Sequence, residues 1–160
     1  MSLTVRAAQV ADAAGIAAVH VQAWREAYAH LMPADFLASL DEQRRASGWR
    51  QILADGITDV FVAIDGTTTI GWASAGPGRD HDAARARELE GIYVLASAYG
   101  TGAGQRLLDA AVGNTGAYLW MADDNPRAEA FYRRNGFERD GAVKQESFGP
   151  VSLPVVRLSR

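Results

Sequence analysis

Between residues 88 and 137 the chain sets out two alternate glutamates, a run of alternate glycines, an Asn-Pro pair and a Phe-Tyr pair. The glycines carry the most information. In Tyr99-Gly100-Thr101-Gly102-Ala103-Gly104-Gln105 they lie between an apolar, strand-like stretch and an amphipathic helical pattern. Glycine lets the backbone approach an anion closely, and a helix beginning there offers free N–H groups and the positive end of its dipole. Such a turn can seat a pyrophosphate, or it can be a tight strand-to-helix connection with no ligand. A P-loop is excluded because no lysine followed by serine or threonine closes the run. A dinucleotide fingerprint fails as well. The third glycine comes too early for G-x-G-x-x-G, and the chain beyond Asp124 is too short to complete a doubly wound sheet. Upstream, Glu88 and Glu90 share a strand face because alternate residues point together, so either carboxylate can accept a proton there. A solvated glutamate at a strand start is an equal reading of each.

The elements that must position these residues follow from periodicity. Leu3 to Arg6 reads as a strand, and Ile16, Val19, His20, Ala23, Trp24, Ala27 and Tyr28 recur at helical spacing from about Asp12. Pro33 suits the first turn of a short helix carrying Phe36, Leu37 and Leu40, and Asp41 caps a third helix running to Leu53. Asp59–Ile64 and Thr69–Ala75 form a hairpin about Asp65-Gly66, broken at Gly76-Pro77-Gly78. A charged loop over 79–87 leads to a strand over 88–95 and then the glycine turn. Leu107, Leu108, Ala111 and Val112 stripe the next helix, Ala117–Met121 is a strand, and Ala128, Phe131 and Tyr132 mark a helix closed by Gly136. Strands return over 137–144 and 151–158. This order implies an α+β fold with a mixed, partly antiparallel sheet.

A chain of 160 residues with 48% hydrophobic and 22% charged side chains is expected to be one globular domain over residues 1–160. A net charge of −3 argues against nucleic acid as partner, and no segment reads as a membrane span. With no cysteine, disulfides, thiolate metal sites and a cysteine nucleophile are excluded, and a cytoplasmic location is expected. His20, His30 and His81 show no metal-ligand spacing, so no metal is expected.

Glu88-Leu89-Glu90-Gly91-Ile92-Tyr93-Val94-Leu95 followed by the glycine turn resembles the coenzyme A-binding motif of GCN5-related N-acetyltransferases. Leu119-Trp120-Met121 with Asn125-Pro126-Arg127-Ala128-Glu129-Ala130-Phe131-Tyr132-Arg133-Arg134-Asn135-Gly136-Phe137 resembles that family's asparagine-to-tyrosine helix. Two motifs in the right order are far more specific than either alone. The resemblance implies an acetyl-CoA-dependent transfer to a primary amine of a small molecule or peptide, without metal, and leaves a homodimer open. An acetyl-CoA-binding sensor with little turnover is the alternative.

By this resemblance the backbone of Ile92, Tyr93 and Val94 pairs with the pantetheine arm as an added strand would. The amides of Tyr99, Gly100, Thr101, Gly102, Ala103, Gly104 and Gln105 hold the pyrophosphate. Asn125 bonds the arm, or caps the helix before Pro126, and Phe131 packs beside it. Glu88 ranks first as general base and Glu90 second, either one directly or through water. The Val94 N–H faces the oxyanion, Tyr132 protonates the leaving thiolate, and Trp24 and Tyr28 shape the amine pocket. The chain departs from the pattern where the family carries glutamine or arginine and this sequence has Tyr99, and where Ala96 replaces a proline. The turn therefore lacks a positive charge, and weaker phosphate binding is expected.

Overall fold

The computed structural model describes residues 2–160. Seven strands form one sheet in the order β1-β2-β3-β4-β5-β7-β6: β1 Leu3–Ala7, β2 Asp59–Asp65, β3 Thr68–Pro77, β4 Arg87–Val94, β5 Tyr118–Ala122, β6 Glu138–Phe148 and β7 Val151–Ser159. Every neighbouring pair is antiparallel except β4 with β5. Among the described residues five α-helices, α1 Ala13–Ala27, α2 Ala34–Ala38, α3 Glu42–Asp55, α4 Ala103–Val112 and α5 Pro126–Arg134, accompany the sheet, with short 3-10 turns at Val10–Asp12 and Ala96–Ala98. None is long and apolar enough to cross a membrane.

The two sheet faces are covered by different helices. Along β3, Trp72 turns toward α1 and α3, where it packs with Ile16, Val19, Ala46 and Trp49. Its neighbour Ala73 turns the other way, onto Leu107, Leu108 and Ala111 of α4 and Tyr132 of α5. α3 starts as its sequence dictates: the Asp41 carboxylate accepts from the amides of Gln43 at 2.9 Å and Arg44 at 3.2 Å. Several boundaries differ from the sequence reading. Pro33 is the residue before α2 and Leu40 lies beyond its end. The Gly76-Pro77 pair does not stop β3, because its last residue Pro77 still lies opposite Arg87 at the strand end. β6 runs on to Phe148, carried by its pairing with β7 as far as Phe148 opposite Val151.

Two irregularities shape the middle of the sheet. In the register of β3 with β4, Ser74 faces Gly91 and Ala75 faces Leu89, so Glu90 is an extra residue in a bulge. The bulge shifts the alternation: Leu89, Ile92 and Val94 turn toward α4 and α5, while Glu88, Gly91 and Tyr93 turn the other way. The second irregularity is a splay. β4 and β5 pair only at Glu88 with Tyr118 and Leu89 with Leu119. Beyond that point β4 follows β3 to Val94 and β5 follows β7 to Ala122, and a wedge opens between them.

Candidate functional site

The wedge leaves the backbone of β4 from Glu90 to Val94 without register partners on β5. Strand backbone is an obligatory donor and acceptor, so this edge is ready to take an extended, amide-bearing ligand. A single 3-10 turn, Ala96–Ala98, joins it to the glycine turn. Gly100 (φ +78°) and Gly102 (φ +87°) adopt left-handed backbone, which glycine reaches without strain. Gly102 precedes α4, and among the described residues no protein acceptor takes the amides of Gly100, Gly102, Gly104 or Gln105. The Thr101 hydroxyl is used within the turn, donating to the Ala98 carbonyl at 2.6 Å and accepting from the Ala103 amide at 3.3 Å. The Gln105 side chain donates to Asp109 and Asn135, so its backbone alone faces the turn's open side. The sequence places an anion seat here, and the local geometry fits one.

On the far side of the wedge, α5 begins at Pro126 with Asn125 in the capping position. Its side chain makes no cap bond, so capping does not occupy it. Phe131 lies beneath the turn, 3.8 Å from where a Cβ on Gly104 would stand. Tyr132 is 8% exposed and packs against Phe131 and Phe137. Burial, with a contribution from Tyr28, raises its hydroxyl pKa well above that of an ordinary phenol, so it stays protonated at neutral pH. Glu129 steadies this helix by pairing with Arg133 and with Arg139 of β6.

The two glutamates occupy different surroundings. Glu88 is 2% exposed and its oxygens are fully engaged. Oε1 accepts from the Arg79 amide at 3.1 Å, Arg79 Nε at 3.0 Å and the Tyr118 hydroxyl at 3.1 Å, and Oε2 accepts from Arg79 Nη2 at 2.7 Å. Burial alone would raise its pKa, but the bonds from Arg79 and Tyr118 outweigh it and hold the carboxyl below its usual value. Glu90, on the bulge, lies 3.7 Å from Arg79 Nε and keeps 21% of its side chain exposed. The loop carrying Arg79 is itself pinned. Buried Arg157 pairs with Asp80 at 3.0 Å, Asp82 at 2.8 Å and Asp140 at 2.6 Å, and Trp120 Nε1 donates to Asp80.

Trp24 and Tyr28, at the end of α1, form an aromatic wall with Tyr93 of β4. The Tyr28 and Tyr93 hydroxyls lie 2.8 Å apart, and burial pushes the Tyr93 hydroxyl up to about 12. Trp24 stacks edge-on against Tyr28 and Phe148, and its Nε1 is buried without a partner. Glu146 stands two residues before Phe148 on the same side of β6, and its charge reaches both tyrosine hydroxyls. At the hairpin tip Gly149 packs on Phe36 of α2, so the end of the β6–β7 hairpin meets the α2 segment over this wall. Sequence reasoning singled out Trp24 and Tyr28, but not Arg79, Tyr118, Phe148, Glu146 or the hydroxyl of Tyr93, which surround these residues and the two glutamates. Each of these works across 28 or more residues of chain or through a phase the bulge has shifted, except Arg79, which sits in a loop with no periodicity. No group of His, Asp and Glu among the described residues is arranged to hold a metal ion.

A family model described as "Acetyltransferase (GNAT) domain" matches residues 56–139. The N-acetyltransferase YuaI of Bacillus subtilis, itself uncharacterized, is 34% identical over 153 residues, covering 91% of this chain and 84% of its own. Among solved structures, the PaiA N-acetyltransferase of Thermoplasma acidophilum in complex with coenzyme A aligns with a TM-score of 0.72, at 17% identity and 98% coverage of both chains. The putative acetyltransferase YncA of Salmonella typhimurium with acetyl-CoA aligns with a TM-score of 0.70, at 20% identity, covering 100% of this chain and 94% of that one.

Proposed function

Because this chain belongs to the GNAT family of N-acetyltransferases, we propose that it binds acetyl-CoA along the free edge of β4 and passes the acetyl group directly to a primary amine. The observation that carries this reading is the wedge. An unpaired strand edge is followed, after one 3-10 turn, by a glycine turn in which the amides of Gly100, Gly102, Gly104 and Gln105 are free, which matches a ligand with amides at one end and a pyrophosphate at the other. Ile92, Tyr93 and Val94 would hold the pantetheine through their backbone, and the turn from Tyr99 to Gln105 would hold the phosphates. The uncapped side chain of Asn125 would bond the arm from the opposite wall, with Phe131 packed below.

An alkyl ammonium has a pKa of about 10.4 and must lose its proton before it can attack. Glu90 is better placed for this than Glu88. Glu88 would have to break its bonds to Arg79 and Tyr118 to take a proton, whereas Glu90 is partly solvated and can act through water. We assign Glu88 to anchoring the 79–86 loop onto the β4–β5 seam. The Val94 N–H would stabilise the oxyanion of the tetrahedral intermediate. As the C–S bond breaks, Tyr132 would give its proton to the thiolate, and its raised pKa means that this transfer must accompany the collapse. Trp24, Tyr28 and Tyr93 would wall the amine.

The test is an amine panel assayed by release of free coenzyme A thiol, beside direct titration of the protein with acetyl-CoA. Binding with no release for any amine would favour a sensor over an enzyme. With an active acceptor, Glu90→Gln should depress the rate most at the acid end of the pH profile. Glu88→Gln should lower thermal stability and leave the shape of that profile intact. The reverse pattern would return the base to Glu88.

A further inference from the structure

The turn from Tyr99 to Gln105 contains no charged side chain, yet it is the segment expected to face a pyrophosphate. The guanidinium of Arg127 lies over the Tyr99 ring, with Cζ 3.7 Å from the ring centroid. Arg127 is the second residue of α5 and Tyr99 opens the turn before α4, so the stack spans the mouth of the wedge from one wall to the other. Arg127 is also free of any carboxylate among the described residues. Arg79, Arg87, Arg133, Arg139 and Arg157 are each bonded to Asp or Glu. A guanidinium resting on a ring is oriented through its face, which leaves the N–H groups along its edge available to oxygen acceptors.

We infer that Arg127, held on the face of Tyr99, binds the pyrophosphate of the donor and supplies from α5 the charge that the glycine turn lacks. Tyr99 is then a platform. It stands where the family carries glutamine or arginine and orients instead a cation from α5. The positive group reaches the same anion from the opposite wall, so anion binding draws α4 and α5 together across the wedge. This inference rests on the acetyl-CoA reading above and adds to it a residue that the turn motif does not contain.

The test is calorimetric titration of the full chain with coenzyme A, dephospho-coenzyme A and pantetheine. Arg127→Ala should weaken both coenzyme A and dephospho-coenzyme A by about 10- to 100-fold, the usual worth of a charge-assisted hydrogen bond, and leave pantetheine unaffected. Its coenzyme A affinity should also depend less on salt than that of the parent. Tyr99→Phe keeps the ring and should retain most of the affinity, whereas Tyr99→Leu should lose a clear share of it. The Tyr99→Leu loss should vanish in an Arg127→Ala background, because the two residues act as one unit. Parental coenzyme A affinity in Arg127→Ala would overturn the inference. So would an equal loss for pantetheine, which would make the effect structural, or a loss confined to coenzyme A, which would move the contact to the 3′-phosphate. If the unaltered chain bound no coenzyme A, the donor reading itself would fall, and that result is distinct from the others.

Discussion

The two walls of the wedge are built from different materials. The wall proposed for the donor is backbone: the edge of β4, the amides of a glycine turn and the start of α4. The wall proposed for the acceptor is side chain: Trp24 and Tyr28 from the end of α1, Tyr93 from β4, and Glu146 and Phe148 from β6, brought together from three separate stretches of sequence. A wall of backbone fixes one ligand shape and tolerates most side-chain changes. A wall of side chains can be altered one residue at a time, which is how one fold serves many acceptors.

The largest expected effect tests the hydroxyl proposed to protonate the leaving thiolate. Tyr132→Phe should cost roughly 10² to 10⁴ in the chemical step, read by single turnover, with fold and coenzyme A affinity retained. A parental rate would leave Tyr132 as packing and give the thiolate its proton from water. The acceptor wall should then prove acid-sensitive through His20, which lies behind Trp24 and accepts a hydrogen bond from Trp49 Nε1 at 3.3 Å. Burial, helped by Arg45, lowers its pKa to about 4, while the unfolded chain takes up that proton near 6.5. In this window the unfolded state binds more protons, so stability is full above about pH 6.5 and falls as the pH drops toward 4, by up to about 3 kcal/mol. Urea midpoints across that range should show the slope in the parent, and His20→Asn, which retains an acceptor for Trp49, should lack the His20 share of it.

On the donor wall, Gly102→Val forces a branched residue to φ +87°. No atom stands within 4 Å of the added Cβ, so the penalty is backbone strain and a displaced turn rather than a clash. Coenzyme A affinity should fall about tenfold or more by calorimetry, and an unchanged value would remove the turn from the site. The smallest effect should come from Tyr28→Phe. Losing its bond to Tyr93 removes about 1 kcal/mol, which should raise the acceptor KM a few-fold and leave coenzyme A affinity unchanged. A drop in coenzyme A affinity instead would show that the two walls are coupled.

The same contrast explains what was legible in the sequence. Glycine spacing, the Asp41 cap and the stripe of α4 are local signals, and the structure follows each. The Asn-Pro start of α5 was equally plain, although capping does not use the Asn125 side chain. The bulge at Glu90 was not legible. Strict alternation would put Glu88 and Ile92 on one face, and the extra residue separates them. Nor could spacing reveal that Arg79 fills the coordination of Glu88, or that Arg127 stands over Tyr99. Those are contacts between a loop or helix end and a strand or turn, and a composition read along the chain does not record what lies across a gap.

The seam between β4 and β5 consists of two register pairs, braced by Arg79, Glu88 and Tyr118. Four strands hang from one side of it and three from the other. A donor lying along β4 would act as an eighth strand over the length where protein pairing stops. Without a donor the two slabs would be expected to loosen separately, and with one they would behave as a single cooperative unit. Amide exchange should show this: coenzyme A should slow exchange in β6 and β7, on the far side of the seam from β4, along with the strand it lies on. The substrate would thus be a temporary part of the architecture, and the fold would be finished anew in each catalytic cycle.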